Sequence, residues 1–345
     1  MTNKKHKIID GDGHVVESHT EIAARMPAIY RDRFGAARGP YPPNDHLHAA
    51  NAHTLPEGAF AKVGREGWIE FMEDVGLTST VLYPTNGLSF GRIVSLDWAL
   101  ELAKAYNDWA YDFCQESGGR VKYAAVVAPQ VVAEAAKEVR RAVNEKGAVG
   151  VMMPTYVQQG LDLGQPQFDP IYAAAQELGV PIGFHATAQV AVGNTRFHKY
   201  IGVHMTSHPF EQMLSVVSII SNGVLDRFPK LKVGFLEAGV GFLPYWMERF
   251  DEKYIIRKSE MEPLKMLPSE YIKDHRCYFT CEGEESALPL AIQQFGDECM
   301  MYASDYPHWD MEWPHSVSQV VKRKDISDET KQKILAGNAK SFYRL

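Results

Sequence analysis

A (β/α)8 TIM barrel is the fold class this sequence predicts, and three observations predict it. Eight short β-rich runs alternate with longer helical patterns, which is how parallel βα units read. The chain has 345 residues and 45% hydrophobic content, enough for one large α/β domain with a substantial core. Polar residues that can do chemistry gather at the C-terminal ends of several β-rich runs, the face on which barrels carry their sites. A doubly wound open sheet is the alternative. It should carry a glycine-rich phosphate loop after the first strand, and neither GxGxxG nor a P-loop follows here.

The elements follow in order. The spacing predicts strands over 8–12, 79–83, 122–128, 148–153, 181–185, 232–237, 277–281 and 299–304. Between them it predicts helices over 97–117, 131–145, 169–178, 210–227, 241–258 and 285–295. Gly118-Gly119 stops one helix and Gly179 another, as glycine does after a helix C-terminus. Pro209 is read as the start of the fourth helix, which puts His208 near its N-cap. Residues 1–345 are read as one barrel domain. A Pro-, Gly-, Asn- and His-rich excursion over about 36–67 runs over the barrel mouth or forms a surface loop, and carries His46, His48 and His53.

Composition narrows the function classes. The net charge is -7 with dispersed basic residues, which disfavours nucleic acid as a partner. No apolar run reaches the ~18 residues of a membrane span, and the start has no signal-peptide core. Cys114, Cys277, Cys281 and Cys299 form no CxxC pair, so they read as free buried thiols of a cytoplasmic protein. Apolar outer helices and the stretch Phe242-Leu243-Pro244-Tyr245-Trp246 suggest a homodimer surface.

Asp12-Gly13-His14 closes the first strand, and side chains two apart on a strand share a face. A carboxylate and an imidazole pointing the same way can start a divalent-metal site. Alone, the motif also fits a strand cap and turn, or a hydrogen-bonded buried histidine. Other strands end alike: His185 ends the fifth, Glu237 the sixth, and Asp305 follows the eighth. Two histidines with carboxylates suit zinc, and also manganese or iron. Four strands ending this way are hard to explain as separate caps.

Asp10-Gly11-Asp12-Gly13-His14-Val15-Val16-Glu17, Phe184-His185, Leu236-Glu237-Ala238-Gly239 and Ser304-Asp305-Tyr306-Pro307-His308 resemble, in order, the motifs of the amidohydrolase-related family. This branch includes aminocarboxymuconate-semialdehyde decarboxylase and the resorcylate-type decarboxylases. The resemblance implies a barrel with one catalytic divalent ion, zinc first and manganese or iron as alternatives. By motif position it implies Asp12, His14, His185 and Asp305 as ligands. Two departures stand out. The first-strand pair is Asp-x-His rather than His-x-His, which lowers the charge of the site and favours manganese or iron. Glu237 stands where those decarboxylases carry a proton-transferring histidine.

The main functional reading is therefore a metal-dependent hydrolase acting on a small aromatic or conjugated acid through a metal-activated water. The alternative is a metal-dependent decarboxylase of an aromatic or muconate-type acid; a metal-binding barrel without catalysis is the third class. Asp305 is read as ligand and proton acceptor, with His208 and Glu237 as the acid–base groups. Glu17 and His308 are read as supports or substrate contacts, and Tyr83, Trp309 and Trp313 as aromatic pocket candidates.

Overall fold

The order of the strands decides where the site lies. In the computed structural model, β1 (Ile9–Val15), β2 (Ser79–Pro84), β3 (Val121–Val126), β4 (Gly150–Pro154), β5 (Ile182–His185), β6 (Val233–Phe235), β7 (Cys277–Cys281) and β8 (Met300–Tyr302) pair in sequence order. Every adjacent pair is parallel. The ends meet just past β8: the His14 N–H donates to Tyr306 O at 2.7 Å, and the Asp305 N–H to Asp12 O at 3.2 Å. That is a nearly closed (β/α)8 barrel, and its C-terminal strand ends converge on one mouth. Structure is described for residues 7–31, 39–42, 62–157, 160–186, 193–311 and 314–345. His46, His48, His53 and Trp313, with most of the 36–67 excursion, lie outside the described residues.

Connecting helices are α1 (Arg65–Val75), α2 (Leu96–Gln115), α3 (Val132–Lys146), α4 (Asp169–Leu178), α5 (Tyr200–Ser221), α6 (Leu243–Ile256) and α7 (Leu288–Phe295), and α8 (Asn338–Tyr343) ends the chain. Gly147 and Gly179 follow α3 and α4 in the left-handed conformation, which an L side chain adopts only with strain. Strands β1, β4, β5, β6, β7 and β8 are buried along their whole length, as expected of parallel strands covered on both faces. All four cysteines are buried and free. No helix among the described residues is long and apolar enough to cross a membrane.

β1 carries a local irregularity that serves the site. Asp10 pairs with Thr80 but Gly13 with Leu82, so β1 has one residue more than β2 between these points. A side chain at Gly13 would lie 2.4 Å from the Trp68 ring and 2.7 Å from Thr80 Oγ1, so only glycine fits. Asp10 pins the seam beside it. Its carboxylate accepts from the Ser304 N–H (2.9 Å), Ser304 Oγ (2.7 Å) and Thr80 Oγ1 (2.8 Å).

Three expectations are corrected. The helix placed over 210–227 is two elements: α5 starts ten residues earlier, at Tyr200, and Asn222-Gly223 separates it from a short helix, Val224–Arg227. Pro209 lies inside α5 rather than at its start. Burial of Val203, Ser207, His208, Glu211 and Gln212 on one face outweighs the backbone bond that proline cannot make. β6 and β8 are also shorter than expected. Glu237 and Asp305 therefore sit beyond their strands, in left-handed backbone with φ of 55° and 53°. Such a conformation costs a non-glycine residue about 1–2 kcal/mol and is typical of functional positions.

Candidate metal and acid–base centre

The first-strand motif sets the floor of the site. His14 is fully buried, and its Nδ1 lies 2.9 Å from Pro84 O at the end of β2. His185, equally buried at the end of β5, places Nδ1 2.9 Å from Ala186 O. A carbonyl only accepts, so each Nδ1 carries its proton and each Nε2 is left to face inward. The two Nε2 atoms are 3.2 Å apart. Asp12 Oδ1 lies 3.8 Å from both and, buried, has no hydrogen-bond donor among the described residues.

Two carboxylates complete the ring. Asp305 Oδ1 is 3.4 Å from His14 Nε2, and Glu237 Oε2 is 3.0 Å from His185 Nε2 and 3.7 Å from His14 Nε2. Candidate ligand atoms of Asp12, His14 and His185 lie within 4.8 Å of one another, as do those of His14, Glu237, Asp305 and His308. Imidazole lone pairs facing each other among uncompensated carboxylate oxygens repel unless a cation sits between them. The residues present therefore fit one divalent ion, with nitrogen and oxygen donors.

The electrostatics say the same. Burial pushes the Asp12 and Asp305 carboxyls well up, and neighbouring carboxylates add to this. Burial alone would lower His185, but Asp12 and Glu237 outweigh it and raise it to about 9. Burial and the neighbouring His308 and His185 hold His14 well below its ordinary value. The centre takes up positive charge, as a proton or as an ion that displaces it.

His208 meets this centre from α5 rather than from a helix cap. Its Nε2 is 3.3 Å from Glu237 Oε1, and its Nδ1 is 3.2 Å from Ser207 Oγ. Ser207 Oγ donates to His204 O at 3.1 Å, so it accepts from His208 Nδ1. The Nε2–Glu237 contact then holds together only when a proton lies in it. Burial lowers His208 to about 4, which makes its imidazolium a strong acid. Burial would raise Glu237, but His208 and His185 hold it well below the usual carboxylate range.

The remaining expected residues divide. His308 stacks on His14 with ring centroids 4.0 Å apart, and its Nδ1 is 2.7 Å from Asp305 Oδ1. Its Nε2 is 3.1 Å from Thr85 Oγ1. The Trp309 ring centroid lies 5.0 Å from that of His204. Glu17 does not touch the ring of donors. Its carboxylate accepts the backbone N–H groups of Thr85, Asn86 and Gly87 at 3.2, 2.9 and 2.7 Å, clamping the turn that supplies Pro84 O and Thr85. Tyr83 is no pocket wall: it is fully buried beneath the histidines, with its hydroxyl 2.8 Å from Tyr343 Oη.

Sequence reasoning missed two features. Glu282 directly follows β7 and lines the mouth, where burial and Glu284 push it up to about 8. The strand-end rule that found Asp305 would have found it too. His204 lies one helical turn before His208, with Nε2 2.8 Å from Asp310 Oδ2. Starting α5 at Pro209 hid that spacing.

The chain is similar to known proteins in sequence and in fold. The chain is 26% identical over 344 residues to 2-amino-3-carboxymuconate-6-semialdehyde decarboxylase of Dictyostelium discoideum, covering 96% of this chain and 91% of that protein. The crystal structure of 5-carboxyvanillate decarboxylase from Sphingomonas paucimobilis superposes with a TM-score of 0.78 at 23% identity, covering 98% of this chain and 99% of the other. The 5-carboxyvanillate decarboxylase of Novosphingobium aromaticivorans, complexed with manganese and 4-hydroxy-3-methoxy-5-nitrobenzoic acid, gives 0.77 at 22% identity, covering 100% and 98%. These relatives are decarboxylases, so they back the alternative reading of the sequence rather than hydrolysis. The amidohydrolase family model matches residues 9–345, and the chain belongs to that family.

Proposed function

We propose that this protein is a metal-dependent, non-oxidative decarboxylase of an aromatic or conjugated carboxylic acid. The observation that carries the reading is the His208–Glu237 contact of 3.3 Å, set directly beside the donors Asp12, His14, His185 and Asp305. The reaction breaks the bond between the carboxylate and its carbon, releases carbon dioxide, and needs one proton on the vacated carbon. The relatives named above act on acids of this kind, which supports the reading.

Asp12, His14, His185 and Asp305 would hold the ion. When bound it polarises substrate oxygens and offsets the negative charge that develops as the bond breaks. Oxygen donors equal or outnumber nitrogens in this set, and manganese is bound in the Novosphingobium neighbour, so manganese replaces zinc as the first choice. His208 delivers the proton, and Glu237 holds the imidazolium until delivery. His308 keeps Asp305 oriented.

Hydrolysis is the second reading. Glu237 favours it, since it replaces the histidine expected of a decarboxylase; Asp305 would then accept a proton from water. The experiment is turnover of a panel of hydroxybenzoates and muconate-type acids in D2O with added manganese or zinc. Release of carbon dioxide with one deuterium on the vacated carbon is expected. Cleavage that adds water and releases no carbon dioxide would overturn the proposal.

A further inference from the structure

A cavity separate from the barrel mouth lies between α5 and the segment that follows β4. Its volume is about 420 Å³, within the ~300–1,000 Å³ usual for small-molecule sites. None of the proposed metal and acid–base residues lines it. Its walls are mostly apolar, with Leu163, Phe184, Val217 and Ile219 among them. Asp162 and Glu211 bring two carboxyls, and among the described residues no Lys, Arg or His lines the cavity.

The two carboxyls differ. Asp162 is spent on its own surroundings, accepting from the Gly164 N–H at 3.1 Å, from Asn222 Nδ2 at 2.9 Å and from Ser218 Oγ. Glu211, on α5, is only 3% exposed, yet its carboxyl has no well-formed hydrogen bond and no cation among the described residues. Thr155 Oγ1 stands beside it, itself buried and outside hydrogen-bonding geometry with any described group. Ser215, one turn further along α5, spends its hydroxyl on the Glu211 backbone carbonyl at 2.9 Å. A buried carboxylate is strongly unfavourable until a partner compensates it. Neither the described residues nor the proposed reaction supplies one.

We infer that this cavity binds a small amphipathic amine, with its ammonium group on the Glu211 carboxylate and its apolar body along the cavity walls. The chemistry selects the ligand. An ammonium group has three donors and no acceptor, so it satisfies Glu211 and the Thr155 hydroxyl together. An anionic ligand would meet two carboxyls and no cation among the described lining residues. A neutral alcohol of the same shape would leave the carboxylate charge uncompensated. The inference does not depend on the reaction catalysed.

The test is isothermal titration calorimetry at pH 8 on the intact, manganese-loaded protein. The probes are hexylamine, cyclohexylmethylamine and 2-phenylethylamine, each paired with its matching alcohol. At least one amine is expected to bind at one site per chain, about 10-fold or more tighter than its alcohol, as a desolvated ionic contact allows. Glu211→Gln is expected to weaken that amine by about 30-fold or more, the loss of a buried charge partner. Val217→Phe, which fills the cavity and leaves Glu211 in place, should weaken it likewise. Three results would overturn the inference: no amine binds, amine and alcohol bind equally, or binding is unchanged in Glu211→Gln. The last would place the amine at the acidic barrel mouth instead. If Val217→Phe misfolds, Glu211→Gln decides alone, because it keeps the shape of the side chain it replaces.

Discussion

His14 Nε2 and His185 Nε2 face each other at 3.2 Å, while each ring uses its Nδ1 on a backbone carbonyl. Those carbonyls, Pro84 O and Ala186 O, fix the tautomer before any ligand arrives. The arrangement stores a demand for positive charge at the barrel mouth.

We predict first that His14→Ala and His185→Ala abolish metal binding. Loss of a residue that merely supports a ligand costs about 10–100-fold in affinity, and loss of a ligand should exceed that. Elemental analysis after purification with added manganese reads the outcome. One ion per chain retained in both variants would remove these histidines from the site.

A second prediction concerns the proton. His208→Ala and Glu237→Gln should each lower turnover by about 10²–10⁴-fold, the usual contribution of an acid–base group. His208→Ala should leave metal content unchanged. Glu237 Oε2 lies 3.0 Å from His185 Nε2, so metal content in Glu237→Gln separates two roles. Retained metal with slow turnover supports proton transfer; lost metal makes Glu237 a ligand.

Glu17 tests the clamp on the β2 turn. Glu17→Gln puts a donor amide where the carboxylate accepts three backbone N–H groups. A charged hydrogen bond contributes about 1.5–3 kcal/mol, so the loss of stability should be on the order of 2 kcal/mol. Denaturant unfolding measures it. An unchanged midpoint would mean that the turn holds without Glu17.

Glu211 predicts a pH dependence. Burial raises its carboxyl from 4.5 to about 7, so between those values the folded chain binds a proton that the unfolded chain has released. Its contribution to stability is greatest below about pH 4.5 and declines as pH rises through about 7, by on the order of 3 kcal/mol in all. Glu211→Gln should remove that decline, gaining on the wild type at pH 8 relative to pH 5. Parallel stability–pH curves for the two proteins would refute the assignment.

The strand ends were legible because each rests on a short-range rule. Burial on both faces makes parallel strands apolar runs, so the polar residues closing them, Asp12, His185 and Asp305, stood out in one dimension. Other features depended on groups far apart in the chain. Glu17 looked like a neighbour of His14, yet its partners are 68–70 residues away, and the chain-local reading had no access to them. Tyr83 looked like a pocket residue until α8 supplied Tyr343 beneath the barrel. The start of α5 was misplaced because a proline in the helix is a local penalty, while burial of the His208 face is a tertiary gain. The sequence by itself determined the barrel and the donors at its mouth. Only the tertiary structure brought His208 to Glu237, because that contact joins a helix to a left-handed turn, and no period along the chain records such a meeting.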